Sequence, residues 1–233
     1  MGMRFVGWLI VGLLCVHSAE AQRKKLQNQP KYDRKPLHFG FTLGINYMDF
    51  HIRTKDLVNY PEVFRVFSTV NSGFNIGIVS DVAFNENLNL RFIPAFATTS
   101  RTLNFEIEDS LTNRRAFVIR EIESAFIELP LEVKFKSDRI NNYRFYLLGG
   151  VKYALDLASN EDVRDPEIFK IKSRDFGYEL GFGMDIYFEF FKMSPQVKAT
   201  FGQANLNVDD GTLYSEIIER LETRSVLFQV TFE

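Results

Sequence analysis

Phe176-Gly177-Tyr178-Glu179-Leu180-Gly181-Phe182-Gly183-Met184-Asp185-Ile186-Tyr187-Phe188 places large apolar residues at every even position and, as far as Asp185, only Gly, Glu or Asp at the odd ones. A strict period of two marks a β-strand with one greasy face and one small or polar face, because successive side chains on a strand point to opposite sides. The same alternation continues downstream, with Val197, Ala199 and Phe201 against Gln196, Lys198 and Thr200, then Val226, Phe228, Val230 and Phe232 against Ser225, Gln229 and Thr231. Upstream, Phe145, Leu147, Val151, Tyr153 and Leu155 oppose Arg144, Lys152 and Asp156. Ile127, Leu129, Leu131, Val133 and Phe135 oppose Glu128, Glu132 and Lys134. Leu88, Leu90, Phe92 and Phe96 face away from Asn89, Arg91 and Ala95, and Phe74, Ile76, Ile78 and Val82 from Asn75, Gly77 and Asp81. Leu37, Phe39, Phe41, Leu43, Ile45 and Tyr47 against His38, Gly40, Thr42, Gly44 and Asn46 complete eight strands.

The links between them alternate in length. Short ones lie at 85–87, 137–142 and 189–192, and long polar ones at 49–72, 106–120, 158–173 and 203–223. Helical spacing predicts a short helix over 214–221 in the last. Short turns at one end and long loops at the other are the plan of an outer-membrane barrel. The rival is a soluble sandwich or barrel whose greasy face is the core. Three features favour the membrane. The polar face is rich in Gly, Ala, Ser and Thr, which suits a crowded eight-stranded interior. Aromatics (Tyr47, Phe74, Tyr143, Phe176, Phe188) sit near strand ends, where interfacial girdles belong. The last strand carries Phe228 and Phe232, which resemble a C-terminal aromatic assembly signal. Shifting the fifth strand by one residue would turn Lys152 and Asp156 towards lipid, at roughly 2–4 kcal/mol for the Lys alone. The expected fold is therefore all-β, an eight-stranded antiparallel transmembrane β-barrel with short periplasmic turns and long extracellular loops. Arg91, Glu128, Glu132, Lys134, Arg144, Lys152, Asp156, Glu179, Asp185 and Lys198 then point inward with both signs of charge, and are expected to pair as a lumen network. A barrel filled in this way is no diffusion pore.

Composition agrees with export. Of 233 residues, 45% are hydrophobic and the net charge is -2, which gives no basic field for nucleic acid. Phe is abundant, at 24 against 9 Tyr and 1 Trp. Residues 1–21 read as a signal peptide. Arg4 begins it, an apolar run follows over 5–16, and Ala19-Glu20-Ala21 gives a small-x-small cleavage pattern between Ala21 and Gln22. The only cysteine, Cys15, falls within that segment, so the mature chain has no thiol for a disulfide or a metal. Residues 22–36 then form a basic, flexible periplasmic lead-in, with Arg23, Lys24, Lys25, Lys31, Arg34 and Lys35 against Asp33. The barrel occupies 37–233.

Signals for chemistry are thin. His38 lies on a small-residue strand face, and His51, near Asp49 and Asp56, reads as a solvated loop residue rather than a catalytic one. No His and carboxylates show metal-ligand spacing. Gly149-Gly150, Gly181 and Gly183 lack the strand-to-helix context of a nucleotide loop and suit close backbone approach. Asp209-Asp210-Gly211 lacks the later ligands of a calcium loop and reads as a turn. Glu216, Glu219 and Glu222 with Arg220 and Arg224 read as a solvated helix face. No catalytic, cofactor or metal site is expected, and the chain is not expected to be an enzyme.

Several continuous segments carry a more specific likeness. Phe74-Asn75-Ile76-Gly77-Ile78-Val79-Ser80-Asp81 with Asn85-Glu86-Asn87-Leu88-Asn89-Leu90-Arg91-Phe92, and Glu128-Leu129-Pro130-Leu131-Glu132-Val133-Lys134-Phe135-Lys136-Ser137, resemble the PorT family. Arg139-Ile140-Asn141-Asn142-Tyr143-Arg144, Gly149-Gly150-Val151-Lys152-Tyr153, Phe190-Phe191-Lys192-Met193-Ser194-Pro195 and Val230-Thr231-Phe232-Glu233 extend the likeness across most of 37–233. The chain departs from the family's pattern at Ser72 and Phe145, where Pro is common. The resemblance implies an outer-membrane barrel of Bacteroidota that serves the type IX secretion system, with other secretion-system proteins as partners and no catalytic residues. The alternative is a stand-alone small barrel for adhesion or ligand binding through its long loops.

Overall fold

The computed structural model describes residues 27–109, 114–161 and 169–233. Ala21, Gln22 and the basic residues Arg23, Lys24 and Lys25 lie outside the described residues. The strands are β1 (Leu37–Thr54), β2 (Val63–Thr69), β3 (Asn71–Ala83), β4 (Leu88–Phe92), β5 (Ala95–Asp109), β6 (Arg114–Lys136), β7 (Tyr143–Asp156), β8 (Arg174–Tyr187), β9 (Lys192–Gly202) and β10 (Ile218–Phe232), with a short helix α1 (Leu213–Ile217) before β10.

All paired neighbours are antiparallel, and β1 pairs with both β10 and β3, which closes the sheet into a barrel. β4 and β5 are two halves of one crossing, and β2 lies in the first long connection, so ten strands make eight crossings. The β4–β5 break falls at Pro94, which has no N–H to give the ladder, beside Pro130 of β6, which has none either. Ile93 N–H donates to the Pro130 carbonyl at 3.2 Å, and the Pro94 carbonyl accepts from Ile78 N–H at 3.0 Å, so the barrel stays closed across the gap.

Within the barrel, the face that points inward is the polar one. Phe39, Phe41, Leu43 and Ile45 of β1 are half or more exposed or nearly so, while Thr42 and Asn46 between them are buried. The same holds on β3, β6, β7, β8 and β10. An apolar outer surface this continuous has a hydrocarbon partner rather than water.

At the long-loop end the strands run further than the sequence predicts. β1 continues to Thr54, β5 and β6 extend through 106–120, and β10 starts at Ile218. The cause is a change of parity. Above Tyr47 it is the even residues of β1 that are apolar, and Phe50 and Ile52 turn inward while Asp49, His51 and Arg53 turn out. Phe50, Leu103, Phe105, Ile122, Phe169, Ile171, Leu206, Ile218 and Leu221 form a buried apolar cluster that caps this end. The helix expected at 214–221 is confined to Leu213–Ile217. From Ile218 on, pairing with β1 wins over helical spacing, so Glu219, Arg220, Glu222 and Arg224 are strand residues. His51 stands opposite Glu222 on β1, not in a loop.

Candidate functional site: the lumen and its two mouths

The inward face of each strand fixes what meets what inside. Near the short-turn end, Lys134 of β6 lies 2.7 Å from Asp185 of β8, whose carboxylate also accepts from Ser194. Arg91 of β4 reaches Asp81 at 3.4 Å, Glu233 at 3.4 Å and the Gln196 side chain at 3.1 Å. One layer up, Lys198 of β9 bridges Glu132 of β6 at 2.5 Å and Glu179 of β8 at 3.2 Å. Lys152 of β7 bridges Glu128 at 2.9 Å and Glu179 at 3.4 Å, and Asn75 of β3 donates to Glu128. The pairs span the lumen, joining β9 to β6 and β4 to β9, so they tie opposite walls together.

Such a network stands only if it is complete. Removing an ion from water costs several kcal/mol, and close pairing with further hydrogen bonds must offset it. Glu179 meets that demand with two lysines and the Thr200 hydroxyl. Tyr146 fills the space beside Gly183, where a Cβ would stand 2.5 Å from the ring, and its hydroxyl donates to Gln196. Gly150 and Gly181 sit against neighbouring backbone, at 2.3 Å and 2.7 Å from carbonyl oxygens for a built Cβ, whereas at Gly149 it would meet the Leu180 side chain in ordinary contact at 3.7 Å.

Of the residues that the sequence points inward, Glu128, Glu132, Lys134, Lys152, Glu179, Asp185 and Lys198 pair among themselves, and Arg91 pairs with residues outside that set. The other two sit at the mouths. Arg144 reaches Asp33 at 3.2 Å, and Asp156 lies 3.6 Å from Arg101 while accepting from the Ala125 and Ala158 N–H groups. Sequence reasoning missed Asp33, Asp81, Arg101, Lys192 and Glu233 as members. Asp81 obeys the parity of its strand and was readable. Arg101 lies beyond the stretch read as strand, Lys192 was assigned to a turn, and Asp33 stood in a segment read as a tether.

The long-loop mouth is closed by the apolar cap. Arg101 marks the boundary, its guanidinium 4.3 Å from the Phe50 ring centroid and 5.2 Å from that of Phe126, while it donates to Ser124 at 2.7 Å. Above it, Lys170 pairs with Asp210 at 3.0 Å and links the connection after β7 to the one before β10. At Asp209-Asp210-Gly211 the chain bends, with Gly211 at φ 76° and its N–H donating to the Asp209 carboxylate. Partial burial acts to raise the Asp210 pKa, but hydroxyls of Ser215 and Thr212 and the Lys170 ammonium outweigh it and hold the carboxyl well below the usual range.

The short-turn mouth is closed by the lead-in, whose described residues 27–36 are packed on the barrel rather than flexible as expected. A 3-10 turn at Tyr32–Arg34 lays Tyr32 across the opening. Its ring stacks on His38 at 4.1 Å, meets Tyr187 edge-on at 5.8 Å, and its hydroxyl donates to Glu233 at 2.9 Å. Burial and the Glu233 carboxylate push the Tyr32 pKa upward, which keeps the hydroxyl a donor. Asp33 accepts from Arg144 and from the Tyr187 hydroxyl and lies 3.6 Å from Arg139. Asn28 and Gln29 donate to the backbone carbonyls of Tyr187 and Phe188. A single acid in a basic segment thus finds three partners on the barrel. On the outer surface, Phe228 meets Tyr47 edge-on at 6.0 Å, and Phe232 stacks on Phe41 at 5.1 Å. Among the described residues, no group of three or more His, Cys, Asp or Glu has metal-site geometry.

The outer membrane protein beta-barrel domain family matches residues 21–231. Among solved structures, Neisserial surface protein A aligns over 85% of this chain and 97% of its own, at 9% identity and a TM-score of 0.43. OprG of Pseudomonas aeruginosa aligns over 84% and 90%, at 13% identity and 0.44. Ail, the attachment invasion locus protein of Yersinia pestis, solved with the heparin analogue sucrose octasulfate, aligns over 83% and 96%, at 11% identity and 0.39. No curated protein matches the chain.

Proposed function

We propose that this chain, which belongs to the outer membrane protein beta-barrel domain family and resides in a Gram-negative outer membrane, is a non-catalytic accessory of type IX protein secretion, in the manner of the PorT family. The observation that carries the reading is the filled lumen. With Lys198 tied to Glu132 and Glu179, and Arg91 to Asp81 and Glu233, cargo has no route through the barrel, so a role in export falls to its surfaces. Other secretion-system proteins would then meet the short periplasmic turns and the lead-in on one side and the loops on the other. The PorT-like run from Glu128 to Tyr153 supplies much of the lumen network and supports the same assignment. The reading includes removal of residues 1–21 between Ala21 and Gln22, and use of Phe228 and Phe232 as the signal that assembles the barrel.

Deleting the gene and measuring sorting-domain cargo in periplasm and medium tests it. Cargo held in the periplasm and released on complementation is the expected result. Normal secretion would reject the export role and leave an adhesive or ligand-binding barrel. One feature favours that second reading, namely the β5–β6 hairpin beyond the barrel, with Phe117 and Ile119 each 63% exposed.

A further inference from the structure

β6 outruns its neighbour on one side. Its pairing with β7 ends at Phe126↔Asp156, yet β6 begins at Arg114 and pairs with β5 through Asp109↔Arg114. Among the described residues, Arg114–Glu123 has a strand partner on its β5 side alone. The direction of its backbone groups follows from Ala125, whose N–H donates to the Asp156 side chain and whose carbonyl accepts from Leu157 N–H, both towards β7. Residues of the same parity point the same way along a strand. Arg115, Phe117, Ile119, Glu121 and Glu123 therefore direct both N–H and C=O away from β5, to an edge with which no other described strand pairs.

The two faces of this edge differ. The inner face is occupied, because Val118 packs on the apolar cap and the Arg120 guanidinium lies 5.1 Å over the Tyr214 ring. On the outer face Phe117 and Ile119 are exposed, with Glu121 and Glu123 beside them, while Arg115 is engaged by Glu106 at 2.9 Å. By contrast, Phe50 N–H of β1 is met by the Asp49 carboxylate and the Ser68 hydroxyl of β2.

We propose that Arg114–Glu123 captures an extended segment of a partner protein as an added antiparallel strand. That segment carries apolar side chains opposite Phe117 and Ile119 and basic ones opposite Glu121 and Glu123. Main-chain hydrogen bonds supply affinity in such a mode, and alternate side chains supply specificity. An edge left with unpaired groups and apolar residues is a template for this pairing.

The test uses the full barrel in lipid nanodiscs and a fluorescein-labelled peptide, Lys-Thr-Lys-Thr-Val-Thr-Tyr-Thr-Glu, followed by anisotropy. Ile119→Pro removes an edge-facing donor without touching the β5 ladder, so the barrel should remain folded and heat-modifiable on gels. It should weaken binding by about ten-fold or more, the size expected for roughly 1.4 kcal/mol. The double variant Glu121→Lys/Glu123→Lys should prefer the charge-reversed peptide Glu-Thr-Glu-Thr-Val-Thr-Tyr-Thr-Lys. Equal binding by wild type and a folded Ile119→Pro, or no saturable binding by wild type, would overturn the proposal. Self-association that the peptide cannot displace, seen by sedimentation, would assign the edge to a second copy and overturn it as well.

Discussion

The barrel and its extracellular cap are built from the same strands with opposite polarity. In β1, residues 37–47 put Phe and Leu outward and His, Thr and Asn inward, whereas 49–53 put Asp, His and Arg outward and Phe and Ile inward. β10 reverses at the same level, where Arg224 outside gives way to Val226 and Phe228, and Leu221 inside gives way to Thr223 and Ser225. Each half follows one rule, that the apolar face meets whatever has least water. In the bilayer that is lipid, and above it that is the interior. The stabilising forces differ accordingly. The barrel interior depends on complete pairing of buried charge, and the cap depends on apolar burial around Phe105 and Leu103.

The largest test of this contrast lies in the lumen. Asp185→Ala should cost about 3–5 kcal/mol, because it strands Lys134 among buried groups, leaving the Tyr146 ring 3.9 Å away and the more distant Glu233 carboxylate to share its charge. Replacing both partners, Lys134→Met with Asp185→Leu, should cost far less than the two single changes summed. Urea unfolding of the barrel in phospholipid measures both. A neutral Asp185→Ala would mean that the lumen is solvated like a surface, and the contrast would fail on its inner side.

The same substitution on the two sides of the boundary gives a smaller effect. Leu43→Lys faces hydrocarbon and should cost roughly 2–4 kcal/mol. Ile119→Lys, outward on β6 and 63% exposed beyond the acidic Glu121 and Glu123, should change stability by about 0.5 kcal/mol or less. Equal costs would place Ile119 in the lipid belt and move the boundary up by several residues.

The position of that boundary also decides how much could be read in advance. Inside the membrane each strand keeps one parity, so a run such as Phe176–Asp185 assigns a face to every residue it contains, and the inward charges follow strand by strand. Above it the parity reverses within one or two residues, at Tyr47 to Phe50 in β1 and at Leu221 to Arg224 in β10. A strand whose pattern reverses looks like a strand that ends, which is why 49–54 and 106–120 read as loop. Arg101 and the cap cluster were lost with them. The 214–221 segment failed differently, since Leu213 to Ile217 does form a helix and only tertiary pairing of β10 with β1 stops it. Asp33 and Tyr32 carry no periodic signal at all. Their partners, Arg139, Arg144, Tyr187 and Glu233, are over a hundred residues away in the chain and come together only when the barrel closes.

The cap is also where a modest pH effect should appear. Asp210 is held below the ordinary carboxylate range by Ser215, Thr212 and Lys170, against the opposing effect of partial burial. A lowered folded-state value means that its contribution is fully present above the unfolded value, about 3.9 for Asp. It is lost as the pH falls through the folded one. Hydrogen exchange over 203–217 should therefore stay constant from about pH 7 to 5, after correction for intrinsic rates, and protection should fall only under about pH 4. Asp210→Asn should reproduce the acid state at neutral pH, at a cost of about 1–2 kcal/mol, because it removes the charge that the largely buried Lys170 and the Ser215 and Thr212 hydroxyls meet. Protection lost already between pH 7 and 5 would mean that a group titrating near neutrality holds these loops. The cap would then be closed by chemistry other than the Lys170–Asp210 tie and the apolar cluster beneath it.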